Sequence, residues 1–427
     1  MKNSVFFIDF YLTFLFILTI TQVSFAMKIL IFTPYLGSNY GGTSKAVKEL
    51  VEAVSRFETR VDLVTTNANH SEKLSVPINK WIECKNYRIK YFRCWNRNDF
   101  IISLPLMLWL IKHVKDYDIV HTNTVFAPII SFVHWLCRLY QIPYIITPHG
   151  MLEPWALSYK AWKKKLYYNF FEKPVFQSSS AIQVIANSEA TNVKSLGLKN
   201  VAIVPNGIHR QEFINQPDPE VFYQEFPATR NQTLILFLGR IDPKKGLDLL
   251  APAFAKVHKL FPQTHLLVAG PDIIGFLPKV ENYFIQAGCI DAVTFTGMLT
   301  GKLKSAALAA ASLYVAPSYS EGFSMSVLEG MASGLPCVIT TGCNFPEAKI
   351  AKAAHIVDIN ADAIADGLIQ CLNYPQKAEA MGKRARDFIF QNYTWEGAAK
   401  KLLQLYKSIL DKKITFDFPA DYQEITR

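Results

Sequence analysis

The chain has 427 residues, of which 50% are hydrophobic and 19% are charged, so a largely disordered protein is excluded and two or three domains are expected. Its formal net charge of +10 favours anionic partners, but no Arg-Gly run, RNA-binding aromatic motif or zinc-finger spacing occurs, so no nucleic acid is expected. The seven cysteines never form a Cys-x-x-Cys pair, which argues against a disulfide framework or zinc site and favours a reducing, cytoplasmic compartment.

Residues 1–26 are an apolar segment in which only Lys2 and Asp9 are charged. Three interpretations stay open: a cleaved signal, a membrane anchor, or a start set upstream of the true start at Met27. An anchor would hold the protein at the inner face of the plasma membrane. Because the apolar run after Met27 predicts a β-strand, we expect the first domain to begin there.

Residues 27–208 predict a first domain of alternating strands and helices. A first strand at Lys28–Pro34 leads through a Gly-rich loop to an amphipathic helix at Ser44–Arg56. Further strands are predicted at Val61–Thr65, Ile119–Thr122, Tyr144–Thr147, Ala181–Ala186 and Val201–Val204. Apolar strands that alternate with helices are typical of a parallel sheet covered on both faces.

The pattern breaks over residues 209–232, interpreted as a linker, and restarts in a second domain over residues 233–394. Its predicted elements are strands Thr233–Leu238, His265–Ala269, Ala292–Phe295, Leu313–Ala316, Cys337–Thr340 and His355–Val357, and a helix at Leu247–Phe261. A last helix at residues 395–411 is expected to pack back on the first domain, before a tail at 412–427. The sequence therefore predicts an α/β protein with two Rossmann-like, doubly wound parallel-sheet domains that face each other across a ligand-binding cleft.

Two glycine-containing loops are candidate phosphate sites. The chain lacks the Gly-x-Gly-x-x-Gly and P-loop motifs, which disfavours a dinucleotide oxidoreductase or a P-loop NTPase. The first loop, GSNYGGTS, could bring backbone amides to a phosphate, although glycine there is more often simply a turn. In LGRIDPKKGL, Arg240 and Lys245 follow a strand and suit a diphosphate, since Arg offers a planar fork and Lys a point charge. The alternative is a solvated basic loop.

The most specific segment is PSYSEGFSMSVLEG, which contains two glutamates eight residues apart. Glu321 falls in the loop after a predicted strand, and Glu329 lies on a helix that is predicted to begin near Ser324 or Ser326. The positive end of that helix suits a diphosphate, and each carboxylate can accept hydrogen bonds from two adjacent sugar hydroxyls. The competing interpretation of any two glutamates at this spacing is coincidence.

These segments, together with PYLGSNYGGTSKAV, ITPHGMLEPWAL, NSEA, VPNGI, AGP and FTGML, resemble the family-4 retaining glycosyltransferases of the GT-B fold. The likeness runs from about Met27 to Leu410. It implies transfer of a hexose-type sugar from a nucleoside diphosphate-sugar donor, by front-face attack with retention at the anomeric carbon. The implied acceptor, bound by the first domain, is a lipid-linked or polysaccharide-precursor glycan.

The resemblance also implies roles for residues of this chain. Arg240 and Lys245 would hold the donor diphosphate, Glu329 would bind the ribose, and Glu321 would bind the transferred sugar. His149, in the PHG turn, would lie beside the anomeric centre, and with Arg240, Lys245 and Glu321 it forms the expected catalytic set.

Further donor contacts are implied at both loops. Gly41 and Gly42 would let the first-domain loop approach the donor, and Met298 would lie where backbone groups meet the base. The remaining expected donor-binding residues, whose backbone amides would face the sugar and phosphate, are Gly322, Phe323 and Ser324. This chain has Ser324-Met325-Ser326 where the family often has a glycine and an apolar pair, and the extra hydroxyls could alter which sugar is preferred.

No metal and no cofactor are expected. Asp116-Tyr117-Asp118 spells the Asp-x-Asp motif that holds a metal in GT-A transferases, but here it precedes a predicted strand. A hard cation needs more oxygen ligands than this pair supplies. We therefore interpret both aspartates as the ordinary start of that strand.

Residues 155–173 hold five Lys, one Glu and seven aromatic residues, a composition that suits an anionic membrane surface. A solvated basic face over buried aromatic rings is equally compatible with it. Two alternatives to the transferase also stay open. One is a catalytically silent nucleotide-sugar-binding subunit of a membrane-associated glycan assembly, and the other is a different GT-B enzyme such as a sugar-nucleotide epimerase.

Overall fold

The computed structural model describes residues 27–97, 100–152, 168 and 172–412. They form two α/β domains, each built on its own parallel sheet, which confirms the fold class predicted from the sequence. The apolar segment 1–26, most of the basic segment 155–173 and residues 413–427 of the tail lie outside the described residues.

The first domain contains twelve strands and five α-helices among its described residues. The strands are β1 (Met27–Phe32), β2 (Thr59–Thr66), β3 (Ala68–Asn69), β4 (Glu72–Lys73), β5 (Trp81–Glu83), β6 (Tyr87–Phe92), β7 (Trp95–Arg97), β8 (Phe100–Ile102), β9 (Ile119–Asn123), β10 (Tyr144–Thr147), β11 (Ala181–Val184) and β12 (Val201–Ile203). The helices are α1 (Gly42–Val54), α2 (Leu104–His113), α3 (Pro128–Leu139), α4 (Lys173–Ser178) and α5 (Asn187–Ser195). Eight strands form the main sheet in the order β12-β11-β10-β9-β1-β2-β6-β5, with β5 antiparallel to β6.

The sequence does not predict β5 and β6, because charged side chains alternate with apolar ones there. Ile89 and Tyr91 of β6 are buried in the core. Arg88, on the other face, donates two hydrogen bonds of 2.5 and 2.7 Å to the carboxylate of Asp62 in β2. Strands near the end of the sheet with one polar face give a weaker apolar signal than the strands at its centre.

The second domain is built on six parallel strands. They are β13 (Thr233–Leu238), β14 (Thr264–Ala269), β15 (Val293–Gly297), β16 (Leu313–Ala316), β17 (Cys337–Thr340) and β18 (His355–Val357), in the order β15-β14-β13-β16-β17-β18. The helices from residue 209 onward are α6 (Arg210–Ile214), α7 (Glu220–Glu225), α8 (Leu247–Leu260), α9 (Leu277–Gln286), α10 (Gly301–Ala310), α11 (Met325–Ala332), α12 (Pro346–Ile350), α13 (Ala361–Asn373), α14 (Pro375–Asn392) and α15 (Trp395–Leu410). Helices therefore cover both faces of a sheet whose strands lie within a residue or two of their predicted bounds.

Residues 209–232 differ from the linker that their polar composition suggests. They contain α6, α7 and a 3-10 turn, and Phe222 is completely buried in the core of the second domain. Phe213 packs in the same cluster. A few aromatic anchors thus hold this stretch on the second domain despite its polar surroundings.

Helix α15 returns to the first domain and packs against α1. The indole of Trp395 is buried and donates a 2.7 Å hydrogen bond to Glu49 of α1. The hydroxyl of Tyr406 lies 2.5 Å from Nδ1 of His121, a buried residue of β9. The C-terminal helix therefore contributes buried side chains to the core of the first domain.

Candidate active site

A cavity of about 580 Å³, here called the cleft cavity, opens between the carboxyl ends of the two sheets. Ligands of doubly wound sheets bind at this edge, because the loops that follow the strands converge there. Every site residue predicted from the sequence lines it: Gly41, Gly42, His149, Arg240, Lys245, Met298, Glu321, Gly322, Phe323, Ser324 and Glu329. The structure thus brings together side chains and loops that are almost 290 residues apart in the chain.

Glu321 is buried in the loop after β16 and its carboxylate is held from one side. Its Oε1 lies 2.5 Å from Nζ of Lys245 and accepts a 2.7 Å hydrogen bond from the hydroxyl of Ser318. Burial raises the pKa of Glu321, but the charges of Lys245 and Lys244 outweigh it and hold the pKa below its usual value. The carboxylate is therefore ionised at neutral pH, and the hydrogen bonds from Lys245 and Ser318 both reach its Oε1.

Glu329, on α11, is held by two lysines from different domains. Its Oε1 lies 2.7 Å from Nζ of Lys45 in α1 and 2.8 Å from Nζ of Lys304 in α10. Burial raises the pKa of Glu329, but Lys304 and Lys45 lower it further than burial raises it, so the net shift is downward. The Lys45–Glu329 ion pair also joins the two walls of the cleft.

The loop after β13 points its cations into the cleft through a tight turn. Asp242 caps the 3-10 turn Pro243–Lys245 by accepting a 3.1 Å hydrogen bond from the Lys244 amide. Gly246 ends the turn with φ of +71°, and a side chain there would collide with the carbonyl of Pro317. Arg240, at the start of this loop, lies across the cleft from Gly41, where a Cβ atom would come within 3.6 Å of the arginine Cδ.

The start of α11 offers backbone amides to the cleft cavity. Ser324 is the N-cap, but its side chain makes no capping hydrogen bond and instead lies 3.1 Å from the hydroxyl of Ser326. The amides of the first helical turn are not bonded within the helix, and the helix dipole adds partial positive charge at this end. This wall of the cavity therefore suits an anionic group.

His149 is partly buried, and its tautomer follows from its neighbours. The side-chain amide of Asn123 donates to the carbonyl of Phe32 at 3.3 Å, so its Oδ1 faces Nε2 of His149 at 2.9 Å. That geometry requires a proton on Nε2 and leaves Nδ1 as an acceptor. Burial lowers the pKa of His149 to about 4, so the ring is neutral at physiological pH.

The turn that carries His149 is fixed by a buried glutamate that the sequence did not single out. Glu189 of α5 accepts hydrogen bonds from the amides of Gly150 at 2.6 Å and Ile185 at 2.9 Å. Gly150 in turn faces Gly322 across the cleft, where a Cβ atom would come within 3.0 Å of the Gly150 Cα. A side chain at position 322 would therefore push the two domains apart.

Five further polar residues around the site were missed by sequence reasoning. Lys45, Lys304 and Ser318 contact the two carboxylates through side chains, Asn344 donates to the Glu321 carbonyl at 2.5 Å, and Glu189 supports the PHG turn. Ser318 lies in the same loop as Glu321, and the other four reach the site from separate elements, so local spacing does not mark them. Three of them nevertheless lie in segments that carried the family resemblance: Lys45 in PYLGSNYGGTSKAV, Glu189 in NSEA and Ser318 in PSYSEGFSMSVLEG.

Asp116 and Asp118 lie far from the cleft, at the amino end of β9. Asp118 accepts a 2.8 Å hydrogen bond from the Lys28 amide, and Asp116 lies 3.1 Å from Nδ1 of His113. Both therefore have structural partners at the sheet edge opposite the cleft cavity. The described residues contain no group of three or more His, Cys, Asp or Glu that could hold a metal ion. In the same part of the chain, no helix is both long and apolar enough to cross a bilayer.

Known families match most of the chain. Residues 40–212 match the family model described as Glycosyltransferase Family 4, and residues 220–408 match the model described as Glycosyl transferases group 1. The chain is 25% identical over 403 residues to the phosphatidyl-myo-inositol mannosyltransferase of Mycobacterium leprae (strain TN), covering 90% of this chain and 97% of that protein. The protein of the same name from Mycobacterium tuberculosis (strain CDC 1551 / Oshkosh) is 26% identical over 401 residues, with the same coverage of 90% and 97%.

Solved structures share the architecture. The sucrose-phosphate synthase from Thermosynechococcus elongatus superposes with a TM-score of 0.72 at 22% identity, over 90% of this chain and 100% of that one. The HepE protein of Anabaena, solved in complex with UDP and glucose, gives a TM-score of 0.71 at 17% identity over the same shares. At these identities the solved structures establish the fold alone.

Proposed function

Because the chain belongs to the family-4 glycosyltransferases of the GT-B fold, we propose that it transfers a hexose-type sugar from a nucleoside diphosphate-sugar donor. The proposed reaction retains the configuration at the anomeric carbon. The proposed acceptor is a lipid-linked or polysaccharide-precursor glycan. The observation that carries the proposal is the pair of buried, ionised carboxylates, Glu321 and Glu329, on either side of the α11 start.

The leaving diphosphate is assigned to the cationic wall of the cleft cavity. Arg240, Lys245 and the free amides at the start of α11 all line it, and they offer fixed positive charge where negative charge develops. Charge stabilisation of this kind is usually the largest single contribution to catalysis. The short Lys245–Glu321 contact keeps the lysine oriented before the donor arrives.

Glu329 is assigned to the ribose and Glu321 to the transferred sugar. In both residues the lysines contact Oε1, so Oε2 is the oxygen with which a pair of sugar hydroxyls would bond. Each carboxylate is kept ionised by its lysines, and an ionised acceptor makes the stronger hydrogen bond to a hydroxyl. Met298, which is exposed at the rim after β15, is assigned to the base.

Retention is proposed to proceed by front-face attack, in which the leaving phosphate helps to deprotonate the acceptor. Glu321 is bound to Lys245 and Ser318, which leaves it ill suited to act as a nucleophile at the anomeric carbon. Neutral His149, held by Asn123, is assigned to the reacting sugar as an oriented hydrogen-bonding group. It neither needs nor holds a positive charge there.

The names of similar proteins suggest which nucleotide bases the donor carries. HepE was solved with UDP and with UDP-glucose, and a relative from Mycolicibacterium smegmatis is named a GDP-mannose-dependent mannosyltransferase. The mannosyltransferase relatives are named for a phosphatidylinositol acceptor, which supports a lipid-linked acceptor for this chain. These names support UDP- and GDP-hexoses as the first donors to test.

The test is a screen of UDP-, GDP- and ADP-hexoses for binding and for slow release of the nucleoside diphosphate. The wild-type protein is expected to bind one donor class and hydrolyse it slowly, while Glu321→Gln binds the same donor but releases less diphosphate. Binding without any release, with or without acceptor, would favour the silent subunit. An isomerised nucleotide sugar without a new glycosidic bond would favour the epimerase.

Metal-independent transfer is part of the proposal, because lysines and helix amides line the cavity and offer the positive charge that a diphosphate needs. Treatment with EDTA is expected to leave the transfer rate unchanged, as measured by diphosphate release. Rates in EDTA with and without added Mg²⁺ or Mn²⁺ should agree. Loss of activity on chelation and its return with either ion would reinstate a metal at the diphosphate.

A further inference from the structure

Among the described residues, the exposed large apolar side chains of the first domain fall in one stretch of the chain. Of eighteen large hydrophobic side chains that are exposed in the described residues, nine belong to the first domain. All nine fall between residues 95 and 140. Scattered exposed apolar residues are normal, but a cluster of this size marks an interaction surface.

Helix α2 carries the centre of this cluster. Leu104, Leu108 and Ile111 follow one another at helical spacing and are 65%, 53% and 39% exposed. The opposite stripe of the helix, Leu106 and Leu110, is completely buried in the core. The helix is therefore apolar on both its inner and its outer face, and no described element covers the outer one.

Helix α3 and the β7–β8 hairpin extend the surface on either side. Helix α3 contacts both α2 and β8 and exposes Trp135, Leu139 and the following Tyr140. The hairpin exposes Trp95, Phe100 and Ile102, with Trp95 and Phe100 packed edge to face. We call these nine residues the docking face. The hairpin end adjoins the cleft, since its Ile101 packs with Tyr35 and Tyr40, and Tyr40 lines the cleft cavity.

Basic residues lie beside the docking face, at the C-terminal ends of α2 and α3 and on one flank of α2. Lys112 lies in the last turn of α2 and Arg138 in that of α3, and Lys115 sits over the ring of Tyr140 at 5.8 Å. On the flank of α2, beside Trp109, a cavity of about 480 Å³ is lined by Lys28, Arg60, Arg88, Lys90 and His113 against two aspartates. These residues, here called the basic rim, carry a net positive charge. Aromatic side chains such as Trp109 and Tyr140 lie between the cations.

We propose that the docking face seats the enzyme on an anionic lipid bilayer, with its apolar stripe at the acyl boundary and its basic rim at the headgroups. An apolar face with Trp and Tyr at its edges and Lys and Arg around it matches the layered polarity of such an interface. The hairpin then lies at the membrane beside the cleft, where a lipid-linked acceptor would enter. This inference is independent of which sugar the enzyme transfers.

Charge complementarity favours a bilayer over two other occupants. The apolar segment 1–26 has one lysine and one aspartate, so it offers nothing to the basic rim. A second copy of this chain would place one basic rim against another, since a twofold interface brings the same patch together. An anionic headgroup layer satisfies both the apolar centre and the cationic edge.

The test measures flotation of the full chain with vesicles of phosphatidylcholine, with and without phosphatidylglycerol. A triple variant, Leu104→Ser, Leu108→Ser and Ile111→Ser, is expected to bind the mixed vesicles at least about tenfold more weakly, because three partly inserted side chains are lost. Lys112→Glu with Arg138→Glu is expected to remove most of the preference for phosphatidylglycerol. Matched controls in the second domain, Leu260→Ser with Ile285→Ser and Lys349→Glu with Lys377→Glu, should bind like the wild type.

Two results would overturn the proposal. One is flotation of the triple variant equal to that of the wild type, which would leave membrane binding, if any, to another part of the chain. The other is a lipid-free dimer that the triple variant converts to monomers, which would identify a second copy as the occupant. Circular dichroism and slow donor hydrolysis report that the variants are folded. Quenching of tryptophan fluorescence by lipids brominated on the acyl chain adds a direct readout, which should fall in Trp95→Phe with Trp135→Phe.

Discussion

At the scale of single residues, the site depends on carboxylates that keep their charge in a buried place. Glu321 and Glu329 are both less than a tenth exposed, yet both have a pKa below the usual range because each is paired with lysines. Removal of one partner of such a pair leaves the other charge uncompensated, which is costly. Variants of Glu321 and Glu329 share this cost, so their ligand affinities are best compared with each other as well as with those of the wild type.

The two glutamates are predicted to divide the donor between them. Glu329→Ala should weaken the binding of the bare nucleoside diphosphate and of the nucleotide-sugar equally, because the charged acceptor of the ribose hydroxyls is lost. The expected loss is about 1.5–3 kcal/mol, or roughly 10- to 150-fold in affinity. Glu321→Ala should leave the affinity for the bare nucleoside diphosphate nearly unchanged while it lowers the rate of sugar transfer. Calorimetry with both ligands measures the difference. If Glu321→Ala lost equal affinity for the bare diphosphate and for the nucleotide-sugar, this assignment of the two glutamates would be wrong.

The pKa of His149 leads to a prediction for stability at acid pH. Its folded pKa of about 4 lies below the unfolded value of about 6.5, so its contribution is complete above pH 6.5 and is lost as the pH falls towards 4. Between those values the unfolding free energy of the wild type should fall by up to about 3 kcal/mol more than that of His149→Asn. Asn suits the position because His149 has φ of +53°, which Asn tolerates well. Parallel pH dependences of the two proteins, from denaturant titrations, would refute this origin of the acid sensitivity.

The sequence predicted these residues well where the chemistry is local. Arg240, Lys245, Glu321 and Glu329 belong to compact segments, and all four line the cleft cavity. Lys45 could not be predicted as a partner of Glu329, because 284 residues separate them and only the fold joins them.

At the scale of elements, strands that are apolar along their length could be predicted from the sequence, whereas strands with one polar face could not. Strands β13, β16 and β17 have the predicted bounds, since their apolar runs are buried on both faces. The edge strand β18 also has the predicted bounds, although it is only partly buried. Strand β6 was missed because Arg88 and Lys90 alternate with its core residues. Helices α6 and α7 were missed because a few buried aromatic side chains, not periodicity, fix them.

Helix α15 is expected to stabilise the first domain through a buried polar contact. Tyr406→Phe removes the hydroxyl that meets Nδ1 of His121 and leaves that nitrogen without this partner in the core, at a cost of about 1–3 kcal/mol. Chemical denaturation of the variant and of Tyr374→Phe, an exposed control, measures the effect. A change no larger than that of the control would show that the contact contributes little.

At the scale of the whole molecule, two sheets place their carboxyl ends on one cavity, and the chain crosses between domains twice. The first crossing, near Gly207, passes so close to the second, at Thr394 and Trp395, that a side chain at 207 would collide with the backbone. The Lys45–Glu329 ion pair joins α1 of the first domain to α11 of the second. Together they hold the domains close enough for loops from both to touch one donor.

The central claim, a retaining sugar transfer from a nucleoside diphosphate donor, is tested most directly by proton NMR of the reaction as it proceeds. With the donor found in the screen and a lipid-linked glycan acceptor, we predict one nucleoside diphosphate released for each glycosidic bond formed. The anomeric signal of the product should show the same configuration as the donor from the first turnover. A product of opposite anomeric configuration, or a new glycoside without diphosphate release, would contradict the account.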